Sequence, residues 1–407
     1  MRLLISFAAL FLSAGLLQFS SGGVGPLDAL TGLRIGMSPG EVGFLGSAHF
    51  MGFFIGCWWA PRLMGAVGHA RDYASFTALG AIGLAAHVIV ADALWWALFR
   101  VMSGICIAGC YTVIEAWLQA KVTNATRGRA MGTYRLVDQG SSLFAQLMIG
   151  ALATIETYIA YNLLTIICCA SLLPLALTRR AQPVIGEAPR LRPAIAWRAS
   201  PLAVAGVVVA ALSGASFRMV GPIYGEEVGL PPGQIGIFLA SFVAGGTFAQ
   251  WPAGWFADRY DRRRVLIWLS ALSVLACGTT AILTAGAHAI LVNAFIFGAT
   301  TFPIYSVAAA HAHDFVGAED RVELSAALMF FYATGAIAAP YTASLLIELF
   351  APAAMFVLIA AGHAFLVIFG LIRMRARAAP AERTGFVAAP RTSFLIGRLT
   401  GRDRDRR

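Results

Sequence analysis

Charge is what this sequence has least of. Of its 407 residues only 12% are Asp, Glu, Lys or Arg, while 59% are apolar; a soluble globular chain normally carries about twice that charged share. Lysine is nearly absent. Lys121 stands alone, and Ala120 rather than Gly precedes it, so no G-x-x-x-x-G-K-[ST] loop exists to hold the phosphates of ATP. The six cysteines, Cys57, Cys106, Cys110, Cys168, Cys169 and Cys277, lie in apolar stretches without ligand spacing, and they read as small packing residues rather than a disulfide or metal framework. His311 and His313 are two apart and would point to different faces of a helix, which disfavours a metal there. The carboxylates and histidines are scattered over separate apolar segments, so no catalytic constellation forms. The expectation is a protein that is not an enzyme, with no cofactor and no bound metal.

What the chain has instead is long apolar runs. A helix needs about 20 apolar residues to cross roughly 30 Å of hydrocarbon, and twelve runs qualify: 4–26, 40–63, 73–91, 94–120, 130–153, 157–178, 201–223, 233–256, 263–286, 288–312, 323–347 and 353–373. With no water to satisfy exposed backbone they must be helices, because the other solution, a closed barrel, shows a period-two alternation that is missing here. The fold class is therefore an all-α integral membrane protein of twelve transmembrane helices.

The runs fall into two sets of six that repeat each other. Val24-Gly25-Pro26 recurs as Val220-Gly221-Pro222, and Pro39-Gly40-Glu41-Val42-Gly43 as Pro232-Gly233-Gln234-Ile235-Gly236. Gly104, Tyr111 and Val113 then match Gly298, Tyr305 and Val307, and Gly140 matches Gly335, all in nearly constant register. A repeat of this length means two halves of like topology, the plan of many secondary transporters, whose substrate site lies between the halves near the bilayer midplane. The first run resembles a secretory signal peptide, but its Val-Gly-Pro partner in the second half marks it as a retained helix.

Basic residues orient the bundle, since Lys and Arg concentrate in cytoplasmic loops. With both termini inside, Arg34 is the one basic residue in an outer loop; Arg100, Arg135 and Arg218 fall within spans, and the remaining basic residues lie on the inner side. The net charge of +10 is then a topology signal, and no nucleic-acid partner is expected. Residues 1–178 form the N-terminal half, 179–200 a polar cytoplasmic linker, 201–373 the C-terminal half and 374–407 an Arg-rich cytoplasmic tail expected to lack fixed structure. Contact with anionic lipid headgroups is the simplest role for that tail.

After span eight the chain reads Gly254-Trp255-Phe256-Ala257-Asp258-Arg259-Tyr260-Asp261-Arg262-Arg263. It resembles the G-x-x-x-D-R-x-G-R-R loop of the major facilitator superfamily, with Asp261 where that family usually has Gly. The resemblance implies a cytoplasmic gating motif in which Gly254, Asp258, Arg259, Arg262 and Arg263 take part and the arginines bridge carboxylates that separate as the halves rock. In the first half Gly65 stands where the matching Asp would be, so an asymmetric latch is expected. Arg100-Val101-Met102-Ser103-Gly104 resembles the R-x-x-x-G stretch of span four, which implies a part for Arg100 in proton movement. Gly335-Ala336-Ile337-Ala338-Ala339-Pro340 resembles a bend that drug antiporters carry in span five, but span five here lacks the Pro. Tyr111-Thr112-Val113-Ile114-Glu115-Ala116-Trp117, Arg127-Gly128-Arg129 with Tyr134, and Ala249-Gln250-Trp251-Pro252-Ala253-Gly254 are similar to the YcaD-type bacterial branch.

Charges carried into the membrane are the candidate substrate and coupling residues. Glu115 near the end of span four and Arg135 near the start of span five are expected to pair, with Asp138 one turn deeper as a second acceptor, either as a structural bridge or as a relay. Arg218 either meets an anionic group on the substrate or snorkels toward headgroups. Arg100 and Arg218 together suggest an anionic substrate. Gln18, His49, Tyr111, Gln139, Gln146, Thr301 and Tyr305 are further polar candidates. The expected function is a monomeric inner-membrane secondary transporter that moves a small molecule, an organic anion or a drug-like compound, by alternating access driven by a proton or other coupling ion. The rival is a receptor or assembly partner that keeps the bundle without transport.

Overall fold

Apolar runs with a mean helix length well above that of soluble domains fold as the sequence predicts. A computed structural model describes residues 2–123, 126–177, 190–282, 286–317, 319–377, 383–388 and 392–394. The first half comprises α1 (Arg2–Arg34), α2 (Pro39–Val67), α3 (His69–Ala86), α4 (Ala93–Lys121), α5 (Arg127–Leu152) and a last span divided at Ser171 into α6 (Thr157–Ala170) and α7 (Leu172–Ala176). A short α8 (Pro193–Ala199) lies between the halves. The second half comprises α9 (Pro201–Glu227), α10 (Pro232–Arg259), α11 (Arg262–Ile282), α12 (Ala287–His313), α13 (Arg321–Leu349) and α14 (Ala354–Ala376). Among the described residues, 10 helices are long and apolar enough to cross a membrane. The predicted spans that miss this mark are α3 and α5. The second of these carries Arg127, Arg129, Arg135 and Asp138 and is not a lipid-facing cylinder.

Boundaries differ from the reading of the sequence where a proline misled it. The first span runs on through Pro26 to Arg34, two turns further than expected. Proline is tolerated inside a transmembrane helix because neighbouring helices satisfy the freed carbonyl, and the extension carries Asp28 into the buried interior. Of the linker, residues 179–189 lie outside the described residues, and Pro193–Ala199 is helical, started by Pro at its first position.

The two halves repeat at the level of helix packing. In the first, α2 and α4 cross at Gly52 and Gly104, where an added Cβ would stand 2.0 Å from the Val101 carbonyl oxygen and 2.1 Å from that of His49. In the second, α10 and α12 cross at Gly245 and Gly298, with the corresponding distances 1.9 Å to Phe295 O and 2.0 Å to Phe242 O. Backbones this close admit only glycine, which is how membrane helices associate when no hydrophobic driving force separates them from lipid.

The halves meet most closely at the end away from the basic loops. There α2 packs on α13: the Ser47 hydroxyl accepts from the Tyr341 N–H at 3.2 Å, and Glu348 accepts from the Gly40 N–H at 2.7 Å. Gly43 lies so near Ser344 and the Pro340 carbonyl that a Cβ would come within 1.7 and 2.8 Å of them. Gly65, at the other end of α2, has open space around it. Gly43→Val is expected to lower stability by about 1–3 kcal/mol through overpacking, and Gly65→Ala to stay within about 0.5 kcal/mol of the parent. Thermal unfolding of the detergent-solubilised protein measures both, and equal shifts for the two would contradict the close crossing.

Candidate functional site: a central polar cavity and its basic mouth

Positions 135, 138, 139, 142 and 146 fall on one face of α5 at helical spacing. That polar stripe cannot face hydrocarbon cheaply, so it turns inward. Between the halves it lines a cavity of about 130 Å³ together with Gln18 of α1, His49 of α2, Tyr111 of α4, and Arg218 and Tyr332 from the second half. The Tyr111 hydroxyl lies 2.7 Å from the Gln18 amide oxygen and also bonds the Asp138 carboxylate, whose other oxygen accepts from Gln139 at 3.2 Å. Gln146 reaches across to the Gly22 carbonyl at 3.0 Å, His49 lies 3.2 Å from the Ser103 hydroxyl, and the Arg218 guanidinium sits 5.4 Å from the centre of the Phe302 ring. Gln18, Tyr111, Arg135, Asp138 and Arg218 are thus brought together, with His49, Gln139 and Gln146 beside them.

Four candidates, Tyr305, Thr301, Arg100 and Glu115, lie elsewhere. Tyr305 packs edge-on against Tyr332 with ring centres 5.5 Å apart, leaving Tyr332 as the tyrosine on the cavity; Thr301 spends its hydroxyl on the Phe297 carbonyl at 2.8 Å. Arg100 is buried in an ion pair of its own, 3.3 Å from Asp28. Asp28 also accepts from the Tyr161 hydroxyl at 2.5 Å and faces the His87 ring at 3.7 Å, and that ring stacks on Tyr161 with centres 5.0 Å apart. The expectation of Arg100 as an open contact for an anion is therefore corrected: a carboxylate from α1 already meets it. Asp28 went unnoticed because Pro26 was read as the end of the span, although a lone Asp inside Leu27-Asp28-Ala29-Leu30 was the available signal.

The expected Glu115–Arg135 pair is also replaced. Glu115 is buried beneath the cavity, and its carboxylate receives the Tyr134 hydroxyl at 3.2 Å and the hydroxyls of Thr392 and Ser393. Arg135 instead lines the cavity. One helical residue apart, Tyr134 and Arg135 point roughly 100° away from each other on α5, so only one of them can face Glu115.

At the basic end, the motif after α10 folds back on its own half. Arg262 is buried, 2.7 Å from Asp314, 3.6 Å from Asp258 and 2.8 Å from the Ala310 carbonyl. Arg259 lies 4.1 Å over the Trp255 ring. Asp261, the residue that departs from the family pattern, takes a bidentate pair with Arg263 at 2.6–3.1 Å. Burial alone would raise the Asp261 carboxyl, but the Arg263 guanidinium and backbone N–H outweigh it and hold it below the usual carboxylate range. The carboxylates bridged by these arginines all belong to the second half, so the expected bridge between halves is not made by Asp258, Asp261 or Asp314. The second partner of the motif is the C-terminal tail, of which Thr384 bonds both Arg262 (3.1 Å) and Asp314 (2.9 Å), and the Phe386 N–H donates to Asp258 at 2.8 Å.

A bundle of apolar helices in two like halves, closed around a polar cavity at their interface, is the architecture of a membrane transporter. The Major Facilitator Superfamily profile matches residues 202–403. An MFS-type transporter of Yersinia pestis (strain Pestoides F) is 28% identical over 341 residues, covering 82% of this chain and 86% of that one. The MFS-type transporter YcaD of Escherichia coli O7:K1 is 27% identical over 339 residues, covering 83% and 87%. In fold, the solved nucleoside transporter NupG aligns with a TM-score of 0.72 at 12% identity over 91% of this chain and 99% of that one. Over its C-terminal half the chain matches the Major Facilitator Superfamily profile, and over most of its length it is similar to MFS-type transporters. Its helices suit a multi-pass membrane protein, similar in sequence to the YcaD-type MFS transporters.

Losing one member of the Asp28–Arg100 pair strands the other in low dielectric. Asp28→Asn and Arg100→Gln are each expected to cost about 3–5 kcal/mol, and the double change to recover part of that loss because no unpaired charge is left. Folded yield and thermal midpoint of the four proteins in the cycle measure the coupling; strictly additive losses would overturn it.

Proposed function

We propose that this transporter moves a small organic anion across the bacterial inner membrane, using the central cavity as its binding site and an ion gradient as its energy source. The observation that carries this reading is the charged lining of the cavity: Arg135 from the first half and Arg218 from the second, against the single carboxylate of Asp138. Guanidinium groups from opposite halves suit a carboxylate or phosphate, since each offers a planar fork of donors. A ligand gripped by both halves also draws them together, which is what a rocking mechanism requires of its substrate. Asp138, one turn from Arg135 and bonded to Tyr111, supplies an ionisable group in the same space, so protonation there and anion binding at the arginines would be linked through charge. This supports proton coupling. The placement of basic residues supports cytoplasmic termini.

Arg218→Gln is expected to weaken binding of the anion by roughly tenfold to a hundredfold, the equivalent of a charge-assisted hydrogen bond of about 1.5–3 kcal/mol, while leaving a matched neutral ligand little affected. Binding of matched anionic, neutral and cationic ligands to both proteins, followed by counterflow in proteoliposomes, tests it. Preference for the cation, or an unchanged anion affinity in the variant, would overturn the anionic reading. Saturable binding with no counterflow would favour a receptor.

A further inference from the structure

Residues 378–382, 389–391 and 395–407 of the tail lie outside the described residues; its described residues are held at the basic mouth of the cavity at four places, and these lie on both halves. Near its start, the Arg377 guanidinium covers the Phe315 ring at 3.8 Å, and the Arg377 carbonyl accepts from Arg263 at 2.5 Å. Next, Thr384 joins Arg262 and Asp314, and the Phe386 N–H caps Asp258. The Phe386 ring lies over Gly254, where an added Cβ would come within 2.6 Å of its Cδ1. The glycine, the aspartate and two arginines of the second-half motif are therefore all engaged by the tail.

Further on, Thr392 and Ser393 give their hydroxyls to the two oxygens of Glu115 in the first half. Phe394 is only 3% exposed, its ring centre 6.4 Å from Phe54 of α2. Thr392 is also part of the cavity wall. With the tail in place, the cavity of about 130 Å³ falls short of the roughly 300–1,000 Å³ of ordinary ligand pockets. Polar groups enter a membrane bundle only where they find partners, and Glu115 accepts the hydroxyls of Thr392 and Ser393.

From these contacts we infer that residues 383–388 and 392–394 act as a built-in plug: the first group holds the second-half motif, the second holds Glu115 and Phe54 of the first half, and together they close the basic mouth of the cavity until they are released. Substrate passage through that mouth, and separation or approach of the halves there, require the Thr392, Ser393 and Phe394 contacts to break. The inference rests on the cavity being the substrate site, but its structural half does not depend on transport.

The test uses the purified full-length protein with Cys169→Ser, which removes the one exposed thiol among the six, and Gln139→Cys as a reporter in the cavity. Release of the plug by Thr392→Ala, Ser393→Ala and Phe394→Ala together is expected to raise the rate of reporter modification by a bulky maleimide about tenfold or more, as local opening replaces a closed contact; an unchanged rate overturns the plug. If the triple variant does not fold, Ser393→Cys in the same Cys169→Ser protein decides: slow modification, like that of a buried thiol, supports the plug, and modification as fast as an exposed thiol overturns it. Counterflow of the anion then separates the two readings. Faster modification with faster flux supports both, faster modification without flux of any solute keeps the plug and removes the transport reading, and flux with unchanged modification keeps transport and removes the plug.

Discussion

Charge without water is costly, and that cost sorts the ionisable residues of this bundle into three places. Arg100 is matched inside the first half by Asp28, with Tyr161 and His87 closing the cluster. Glu115 is matched by hydroxyls, two of them from the tail. Arg135, Asp138 and Arg218 are gathered on the cavity. The third gathers its charges around the space between the halves, where both halves contribute to one polar wall.

The same constraint shapes the interface between halves. At the end remote from the basic loops, α2 and α13 approach at Gly43, and the Glu348 carboxylate and Ser47 hydroxyl take up backbone N–H groups across the seam. At the basic end, the arginines of the second-half motif turn inward to Asp258, Asp261 and Asp314 of their own half. The direct polar contacts seen at the closed end are supplied at the basic end by the tail, whose hydroxyls and ring reach the first half at Glu115 and Phe54. An interface glued by helices on one side and by a detachable segment on the other is open to change chiefly on the second.

Much of this was legible in the sequence because the bilayer imposes simple rules. Run length gave the spans, the Val-Gly-Pro and Pro-Gly landmarks gave the two halves, and Gly104 with Gly298 marked positions that prove to be equivalent helix crossings. The polar face of α5 was legible too, since Arg135, Asp138, Gln139 and Gln146 recur at helical spacing. Partners were not. Spacing along a helix fixes which residues share a face, but which face meets which neighbour depends on rotation of each helix in the bundle, and a rotation of one residue exchanges Tyr134 for Arg135 beside Glu115. Pro26 hid Asp28 for a different reason: a proline that ends a soluble helix is carried inside a transmembrane one.

The tail was the least legible element, and its composition explains why. Arg, Ala, Pro and Thr without apolar periodicity cannot bury a surface of their own, so the segment reads as disordered in isolation. Its described residues find partners far away in sequence: the Asp258 carboxylate, the Arg262–Asp314 pair and Glu115 each have hydrogen-bonding capacity beyond what their own helices satisfy, and Thr384, Phe386, Thr392 and Ser393 fill it. The departure of Asp261 from the family pattern fits the same arrangement. By holding Arg263 in a bidentate pair it fixes a guanidinium that also binds the Arg377 carbonyl, so the point where the chain leaves α14 is anchored at the motif. A tail that starts at that anchor can reach the neighbouring residues of the mouth without first being gathered from solution, and the entropy cost of docking it is correspondingly smaller than for a free peptide of the same sequence.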